Sequence, residues 1–145
     1  MMEAANKGAQ KAGGKSIGLN ISIPMEQFPN QFITPELNFE FHYFFMRKLW
    51  FVSLAKGLII FPGGFGTLDE LFEVLTLIQT KKIKRCLPVV IYGSKYWNQV
   101  LNLDALVEYG TIDKSSLDLL RFCDTVEEAF SFLTGELTRL HLNSS

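Results

Sequence analysis

The sequence predicts an α/β fold in which a parallel β-sheet carries helices on both of its faces. Helical and strand-like segments alternate along the chain, an order that favours parallel strands joined by crossover helices. The strand segments are short apolar runs, as expected for strands that are buried on both faces. A glycine-rich turn lies between one such run and a helix, where sheets of this kind bind ligands. We therefore expect a Rossmann-like architecture.

The first part of the chain predicts a helix, a strand, a long loop and a second helix. Residues 2–12 are rich in alanine and lysine and stop at two glycines, which is typical of a helix and its C-terminus. Residues 16–23 alternate apolar and polar side chains and predict a strand. Residues 24–38 contain three prolines and predict a loop. Residues 39–56 carry apolar side chains nearly all round, which predicts a helix covered on more than one side.

The second part continues the alternation of strands and helices. The helix after the glycine-rich turn is apolar on most faces, a basic link follows it, and the last helix opens with a capping pattern. The predicted elements are a strand at 58–61, a helix at 67–80, a strand at 87–92 followed by the turn Gly93-Ser94, a helix at 97–109, a strand at 120–123 and a helix opening at 124–127.

Composition limits the classes of function. The 145 residues predict one domain, and 48% hydrophobic with 20% charged residues is ordinary for a globular protein. A net charge of −1 with scattered lysines argues against a nucleic acid polymer as partner. No apolar run is long enough to span a bilayer and no signal peptide opens the chain, so a cytoplasmic protein is predicted. Cys86 and Cys123 form no metal or disulfide pattern and are predicted to be buried thiols.

The glycine-rich turn is the main candidate for a site. Residues 62–70 have the sequence PGGFGTLDE, in which three glycines let the backbone turn tightly and approach a ligand. The helix that follows directs N–H groups and the positive end of its dipole to the same place, which suits a phosphate. The carboxylates of Asp69 and Glu70 come just after it, and phosphate would repel them. The segment is therefore expected to handle something besides phosphate.

A purely structural interpretation of this segment also stands. Thr67 and Glu70 have the spacing of a capping box, in which the threonine side chain and the glutamate each accept a backbone N–H of the helix start. That interpretation makes Glu70 structural. A capping box does not need three glycines in front of it, and the glycine cluster favours the ligand site.

Two cations and a further carboxylate are weaker candidates. Arg47 and Lys48 interrupt the apolar helix at 39–56. The aliphatic part of Lys48 can lie on apolar surface while its ammonium group stays in water. The planar guanidinium group of Arg47 suits paired hydrogen bonds to a phosphate or carboxylate. Glu73 extends the acidic stripe by one helical turn and is a candidate for a place near the ligand. His42 has no acidic partner in the sequence and receives no role. No histidine lies at ligand spacing from these carboxylates, so no metal is expected.

Residues 62–70, with Met46-Arg47-Lys48 upstream, resemble the paired PGGxGTxxE and RK motifs of the LONELY GUY family. Its members are Rossmann-like phosphoribohydrolases that are often labelled lysine decarboxylase-like. The segments 2–9 and 16–20 also resemble bacterial members, and the resemblance extends to about Tyr92. Nothing marks a pyridoxal-phosphate lysine with its supporting partners, so we discount the decarboxylase label and expect no cofactor.

The resemblance implies hydrolysis of the N-glycosidic bond of a nucleoside 5′-monophosphate, AMP-like or a cytokinin nucleotide, to free base and ribose 5-phosphate. Departure of the base leaves an oxocarbenium-like ribose. A carboxylate can stabilise this cation, or it can activate the water molecule that attacks it. The resemblance implies phosphate binding by Gly63, Gly64, Gly66 and Thr67, and catalysis by Arg47 and Glu70. Lys48, from the same paired motifs, and Glu73, from the acidic stripe, are further candidates for substrate contacts.

The resemblance also implies a homodimer, and two helices that are apolar all round fit a need for cover by a partner chain. Family members carry two strands and a glycine-rich loop before the segment that matches residues 1–9. The chain is therefore expected to be truncated at its N-terminus and to lack the first strands of the fold. Two alternatives stay open, namely a nucleotide-binding module without turnover and an inactive remnant.

Overall fold

The computed structural model describes residues 2–22, 30–83 and 87–142. The chain divides into two compact units, Met1–Leu54 and Ala55–Ser145. Each unit contains parallel strands accompanied by helices, which confirms the predicted α/β, Rossmann-like class. That residues 1–145 form one nucleotide-binding domain, truncated at its N-terminus, stays a prediction.

The first unit contains a pair of parallel strands. It opens with helix α1 (Met2–Lys11), as predicted, and continues with strand β1 (Gly18–Ile21), which lies within the predicted strand. Strand β2 (Asn38–Phe41) pairs with β1 along its whole length. Helix α2 (Phe44–Leu54) follows and contacts both strands.

Strand β2 is not predicted by the sequence, and the prediction of one helix over residues 39–56 is wrong at its start. Phe39 and Phe41 belong to the strand, although their aromatic character merges with that of the helix that follows. Pairing with β1 decides the conformation, because strand preference depends on context more than on the residue itself. The predicted loop contains a short 3₁₀ segment, Pro35–Leu37, while residues 23–29 lie outside the described residues.

In its described residues, the second unit has a three-stranded parallel sheet in the order β3-β4-β5 and four α-helices. Its elements are β3 (Leu58–Ile60), α3 (Phe65–Gln79), β4 (Val89–Tyr92), α4 (Ser94–Val100), α5 (Leu103–Glu108), β5 (Leu120–Cys123) and α6 (Val126–His141). The predicted helix at 97–109 is two helices instead. Asn102 lies between them, and its side chain accepts the N–H of Ala105 at 3.1 Å, which caps α5.

Strand β4 is the centre of this unit. Val90 is fully buried and packs with Cys123 and Ala129 on the side covered by α6. Successive strand residues point to opposite faces, and Ile91 lines a cavity of about 490 Å³ together with Trp97 on α4. The sheet of the second unit therefore carries helices on both faces, as predicted. The buried free thiol of Cys123 is confirmed, and Cys86 lies outside the described residues.

Helix α6 begins with the capping box that the sequence predicts. The Thr125 hydroxyl accepts the N–H of Glu128 at 3.2 Å, and the Glu128 carboxylate accepts the N–H of Thr125 at 3.3 Å. These reciprocal bonds satisfy N–H groups that have no acceptor within the helix.

Candidate functional site

The glycine-rich segment joins β3 to α3 at the carboxyl end of a strand in the parallel sheet. Helix α3 begins at Phe65, two residues before the predicted start near Thr67, and Gly64 is its N-cap. The Gly64 carbonyl accepts the N–H groups of Thr67 at 3.0 Å and Leu68 at 3.1 Å. The helix therefore starts inside the glycine cluster, and only residues 61–64 connect it to the strand.

The capping-box interpretation of Thr67 and Glu70 is wrong. Thr67 is the third residue of α3, and Gly64, which occupies the N-cap, has no side chain to accept a hydrogen bond. Glu70 lies in the second turn of the helix, beyond the N–H groups that a capping carboxylate would accept. Glu70 is therefore not a capping residue of α3.

The three glycines meet different surroundings. A Cβ atom on Gly63 would collide with the Thr67 side chain, so the packing of the turn itself requires glycine there. Apart from the chain neighbours and the adjacent helix backbone, no atom of the described residues lies within 4 Å of a Cβ atom placed on Gly64 or Gly66. Open space therefore lies beside these two residues, and a ligand can approach the backbone closely.

The start of α3 presents N–H groups to this open space. Among the residues that the structure describes, none accepts a hydrogen bond from the N–H of Gly64, Phe65 or Gly66. The Phe65 side chain is 93% exposed and leaves the helix end uncovered on its side. The N-terminus of a helix carries roughly half a positive charge in addition to these donors. The arrangement suits a phosphate group.

Two carboxylates follow on one face of α3. Glu70 lies four residues after Gly66, and Glu73 lies three residues after Glu70, so all three share a helix face. The Oε2 atoms of Glu70 and Glu73 are both buried, whereas Asp69 is exposed. At 1.5 Å per residue, Glu70 lies about 6 Å along the axis from Gly66. An anion at the helix start would therefore lie about one helical turn before the backbone of Glu70.

The predicted cations lie on α2 in the first unit. Arg47 and Lys48 are both half-buried, the Arg47 Nε atom is buried, and its guanidinium carbon lies 5.7 Å from the centre of the Phe44 ring. His42 is exposed in the bend before this helix. The second unit thus contains the predicted phosphate-binding residues and the two carboxylates with a buried Oε2 atom, while the predicted cations belong to the first unit.

The turn between β4 and α4 contributes residues to the surroundings of the glycine-rich segment for which the sequence predicts no role. The Tyr96 hydroxyl donates a hydrogen bond to the Gly63 carbonyl at 2.7 Å. The N–H and the hydroxyl of Ser94 both donate to the Asp124 carboxylate at 2.7 Å. The available signal is the position of Gly93-Ser94 directly after a buried strand, because the carboxyl ends of neighbouring parallel strands meet at one edge.

The Asp124 contact predicts a dependence of stability on pH. Hydrogen bonds from the hydroxyl and the N–H of Ser94 hold the pKa of Asp124 below its usual range. Because the pKa is depressed in the folded state, Asp124 stabilises the fold above the unfolded-state pKa of about 3.9, and this contribution disappears as the pH falls through the folded-state pKa. Asp124→Asn should therefore lower the Tm at pH 7. The Tm of the variant should also fall less than that of wild type between neutral and strongly acidic pH.

Thermal unfolding of wild type and Asp124→Asn across that pH range measures the effect. Asp118→Asn, which changes another exposed carboxylate of the second unit, is the control and should follow the wild-type profile. Parallel profiles for Asp124→Asn and wild type would contradict the assignment.

The described residues form neither a membrane-spanning helix nor a cluster of metal ligands. No helix among them is long and apolar enough to cross a bilayer. They contain no group of three or more His, Cys, Asp or Glu side chains that could hold a metal ion. The cavity beside Ile91 and Trp97 is lined by none of the predicted site residues.

The sequence of the chain is similar to those of known proteins. The sequence model of a family described as "Possible lysine decarboxylase" matches residues 2–133. The probable cytokinin riboside 5′-monophosphate phosphoribohydrolase LOG4 of Oryza sativa subsp. japonica is 32% identical over 90 residues, which cover 61% of this chain and 38% of the rice protein. The pyrimidine/purine nucleotide 5′-monophosphate nucleosidase of Escherichia coli K12 is 44% identical over 46 residues, which cover 31% of this chain and 10% of that enzyme.

The matched segments thus span well under two thirds of either relative. The family match, in contrast, extends over nearly all of the 145 residues and includes the glycine-rich segment, the helix face with Glu70 and the Arg47-Lys48 pair. The chain belongs to the LONELY GUY family, the family described as possible lysine decarboxylases.

Proposed function

We propose that the protein hydrolyses the N-glycosidic bond of a nucleoside 5′-monophosphate and releases the free base and ribose 5-phosphate. The observation that carries this proposal is the start of α3, where open glycine amides are followed by a buried carboxylate on the same helix face. The names of both relatives support the substrate class, since each refers to a 5′-monophosphate of a nucleoside.

In this proposal the 5′-phosphate binds at the N-terminus of α3. Gly64 and Gly66 contribute backbone N–H groups, Gly63 allows the tight approach of the turn to Thr67, and the Thr67 hydroxyl adds a further donor. Hydrogen bonds between N–H groups and a charged oxygen are stronger than those between neutral groups. The phosphate thus anchors the nucleotide, and its ribose extends toward Glu70.

Glu70 supplies the chemistry at the sugar. As the base departs, positive charge develops on the ribose, and a carboxylate stabilises this charge or takes a proton from the attacking water. Burial of the Oε2 atom strengthens the interaction, because the attraction between opposite charges grows as water is excluded. Glu73, one turn further along the same face, is proposed to contact the substrate. The roles of Arg47 in catalysis and of Lys48 in binding stay predictions of the resemblance.

The experiment is incubation of the 145-residue chain with AMP and, separately, with adenosine, followed by chromatographic detection of adenine. AMP should release adenine, whereas adenosine should react far more slowly because it lacks the anchoring phosphate. Equal rates on both substrates would contradict the phosphate site. A panel of other nucleoside 5′-monophosphates then determines which base is accepted.

We also propose that the protein is a homodimer that associates through α2. The helix carries several exposed apolar side chains, among them Phe45 and Leu49, which are 66% and 58% exposed and lie four residues apart on one face. Exposed apolar surface of this kind is typical of an interface. The cytoplasmic location predicted from the sequence stays a prediction.

Leu49→Glu should convert the dimer to a monomer, because a carboxylate would be buried without compensation at the interface. Sedimentation velocity or light scattering measures the mass. Leu142→Glu changes a leucine that is 71% exposed, next to the end of α6, and should leave the dimer intact. A monomeric wild-type protein, or a dimer that persists in Leu49→Glu, would contradict the proposed interface.

A further inference from the structure

The turn between β4 and α4 contacts the glycine-rich segment at two points. The Tyr96 hydroxyl donates to the Gly63 carbonyl at 2.7 Å, with the tyrosine part-buried. Gly93 has a left-handed backbone conformation with φ of 89°, and a Cβ atom there would lie 3.3 Å from the ring of Pro62. The two turns are therefore packed closely against each other at the carboxyl edge of the sheet.

Tyr96 is held in place by its neighbours. Both hydrogen bonds from Ser94 to Asp124 fix the first residue of α4 to the end of β5. Trp97 is 1% exposed, and its indole N–H donates to the Tyr92 carbonyl at 3.1 Å. The Tyr96 and Trp97 rings meet edge to face with centres 5.0 Å apart. The phenol group consequently reaches the glycine-rich segment from an ordered support.

The hydrogen bond to Gly63 also determines the direction of the next N–H group. In a trans peptide unit the C=O and the N–H point in opposite directions, and no cis peptide bond occurs in the described part of the chain. With the Gly63 carbonyl directed at Tyr96, the Gly64 N–H points away from Tyr96. No described residue accepts that N–H.

The peptide unit between Gly63 and Gly64 is the one in the glycine-rich segment that can rotate most easily. It has glycine on both sides, and glycine places little restriction on the backbone dihedral angles. Rotation by half a turn would direct the Gly63 carbonyl oxygen toward an anion in place of the Gly64 N–H. We infer that Tyr96 is a positioning residue that holds the Gly64 N–H in the orientation needed to bind the 5′-phosphate. The inference rests on the proposed function, since it requires a phosphate at this site.

Tyr96→Phe tests the inference by removing only the hydroxyl. The variant should bind AMP about tenfold more weakly than wild type, the loss expected for a weakened hydrogen bond to a charged group. Its affinity for adenosine should not change. Tyr109→Phe removes a phenol hydroxyl that is exposed in the same unit and should bind AMP like wild type. Isothermal titration calorimetry measures the affinities, and thermal unfolding checks that each variant is folded.

A measurement on the wild-type protein is independent of the folding of any variant. Titration with AMP should shift the backbone amide resonance of Gly64 in ¹H–¹⁵N spectra, and inorganic phosphate should shift it in the same direction. A Gly64 resonance that AMP leaves unmoved would overturn the inference.

The remaining outcomes separate the inference from the proposed function. If wild type binds AMP and Tyr96→Phe binds it equally well, the inference is wrong and the phosphate site stands. Equal weakening of AMP and adenosine binding in Tyr96→Phe would also overturn it, because the effect would not depend on the phosphate. If wild type binds no AMP, the proposed function is overturned and the inference falls with it.

Discussion

Glu70→Gln should lower kcat for adenine release from AMP by about 10²- to 10⁴-fold, the range typical of an acid–base or charge-stabilising side chain. Glutamine has nearly the same shape but carries no charge, so it cannot stabilise the developing cation or take a proton from water. The buried Oε2 atom of Glu70 lies on the same helix face as the open amides of α3. AMP affinity should stay within a few-fold of wild type, because the phosphate anchor is unchanged.

Steady-state kinetics and calorimetry on the same preparations separate the two effects. Asp69→Asn makes the same change of charge at the neighbouring, exposed carboxylate and is the matched control. An equal loss of kcat in both variants would show that net charge, and not the position of Glu70, governs the rate. Full activity in Glu70→Gln would remove Glu70 from the reaction.

Gly66→Ala should weaken AMP binding at least tenfold while it leaves the Tm unchanged or raises it. The Cα–Cβ bond in a helix tilts toward the N-terminus, so the added methyl group leans over the amides that are proposed to bind phosphate. Beyond the chain neighbours and the helix's own backbone, no atom of the described residues lies within 4 Å of this methyl position, so the substitution causes no steric clash with them. Alanine stabilises a helix relative to glycine by about 0.5–1 kcal/mol.

Gly135→Ala is the matched control, because Gly135 lies within α6 and its Cβ position is also open. Neither variant should lose stability in thermal unfolding, and only Gly66→Ala should lose AMP affinity in calorimetry. Unchanged AMP affinity in Gly66→Ala would contradict a phosphate at the start of α3. A large loss of stability would contradict the open surroundings of Gly66.

The parts of the fold that could be predicted from the sequence have local signals. Leu58 and its apolar neighbours are bounded by glycine and proline, which identifies β3. The capping pattern at 124–127 identifies the start of α6, where the structure shows a capping box formed by Thr125 and Glu128. Strand β2 could not be predicted, because Phe39 and Phe41 run into an aromatic helix and only pairing with β1 distinguishes them. The break between α4 and α5 could not be predicted, because leucines flank the capping residue Asn102 in the sequence.

The candidate site, too, could be predicted from the sequence only in part. The sequence identifies Gly63, Gly64 and Gly66 as site candidates, because glycine allows a tight turn and a close approach of a ligand to the backbone. The capping-box alternative for Thr67 could only be decided once Gly64 was located at the N-cap. Tyr96 could not be predicted, because its hydrogen bond to Gly63 joins residues 33 positions apart and depends on the parallel order of β3 and β4.

The bond that is broken distinguishes the proposed reaction from the other hydrolyses open to a nucleotide. Incubation of the wild-type chain with AMP in ¹⁸O-enriched water, followed by mass spectrometry of the products, tests the central claim most directly. Attack at the sugar predicts free adenine and ribose 5-phosphate that carries ¹⁸O on its C1 hydroxyl. Adenosine with ¹⁸O in inorganic phosphate, or AMP that remains intact, would contradict the proposed function.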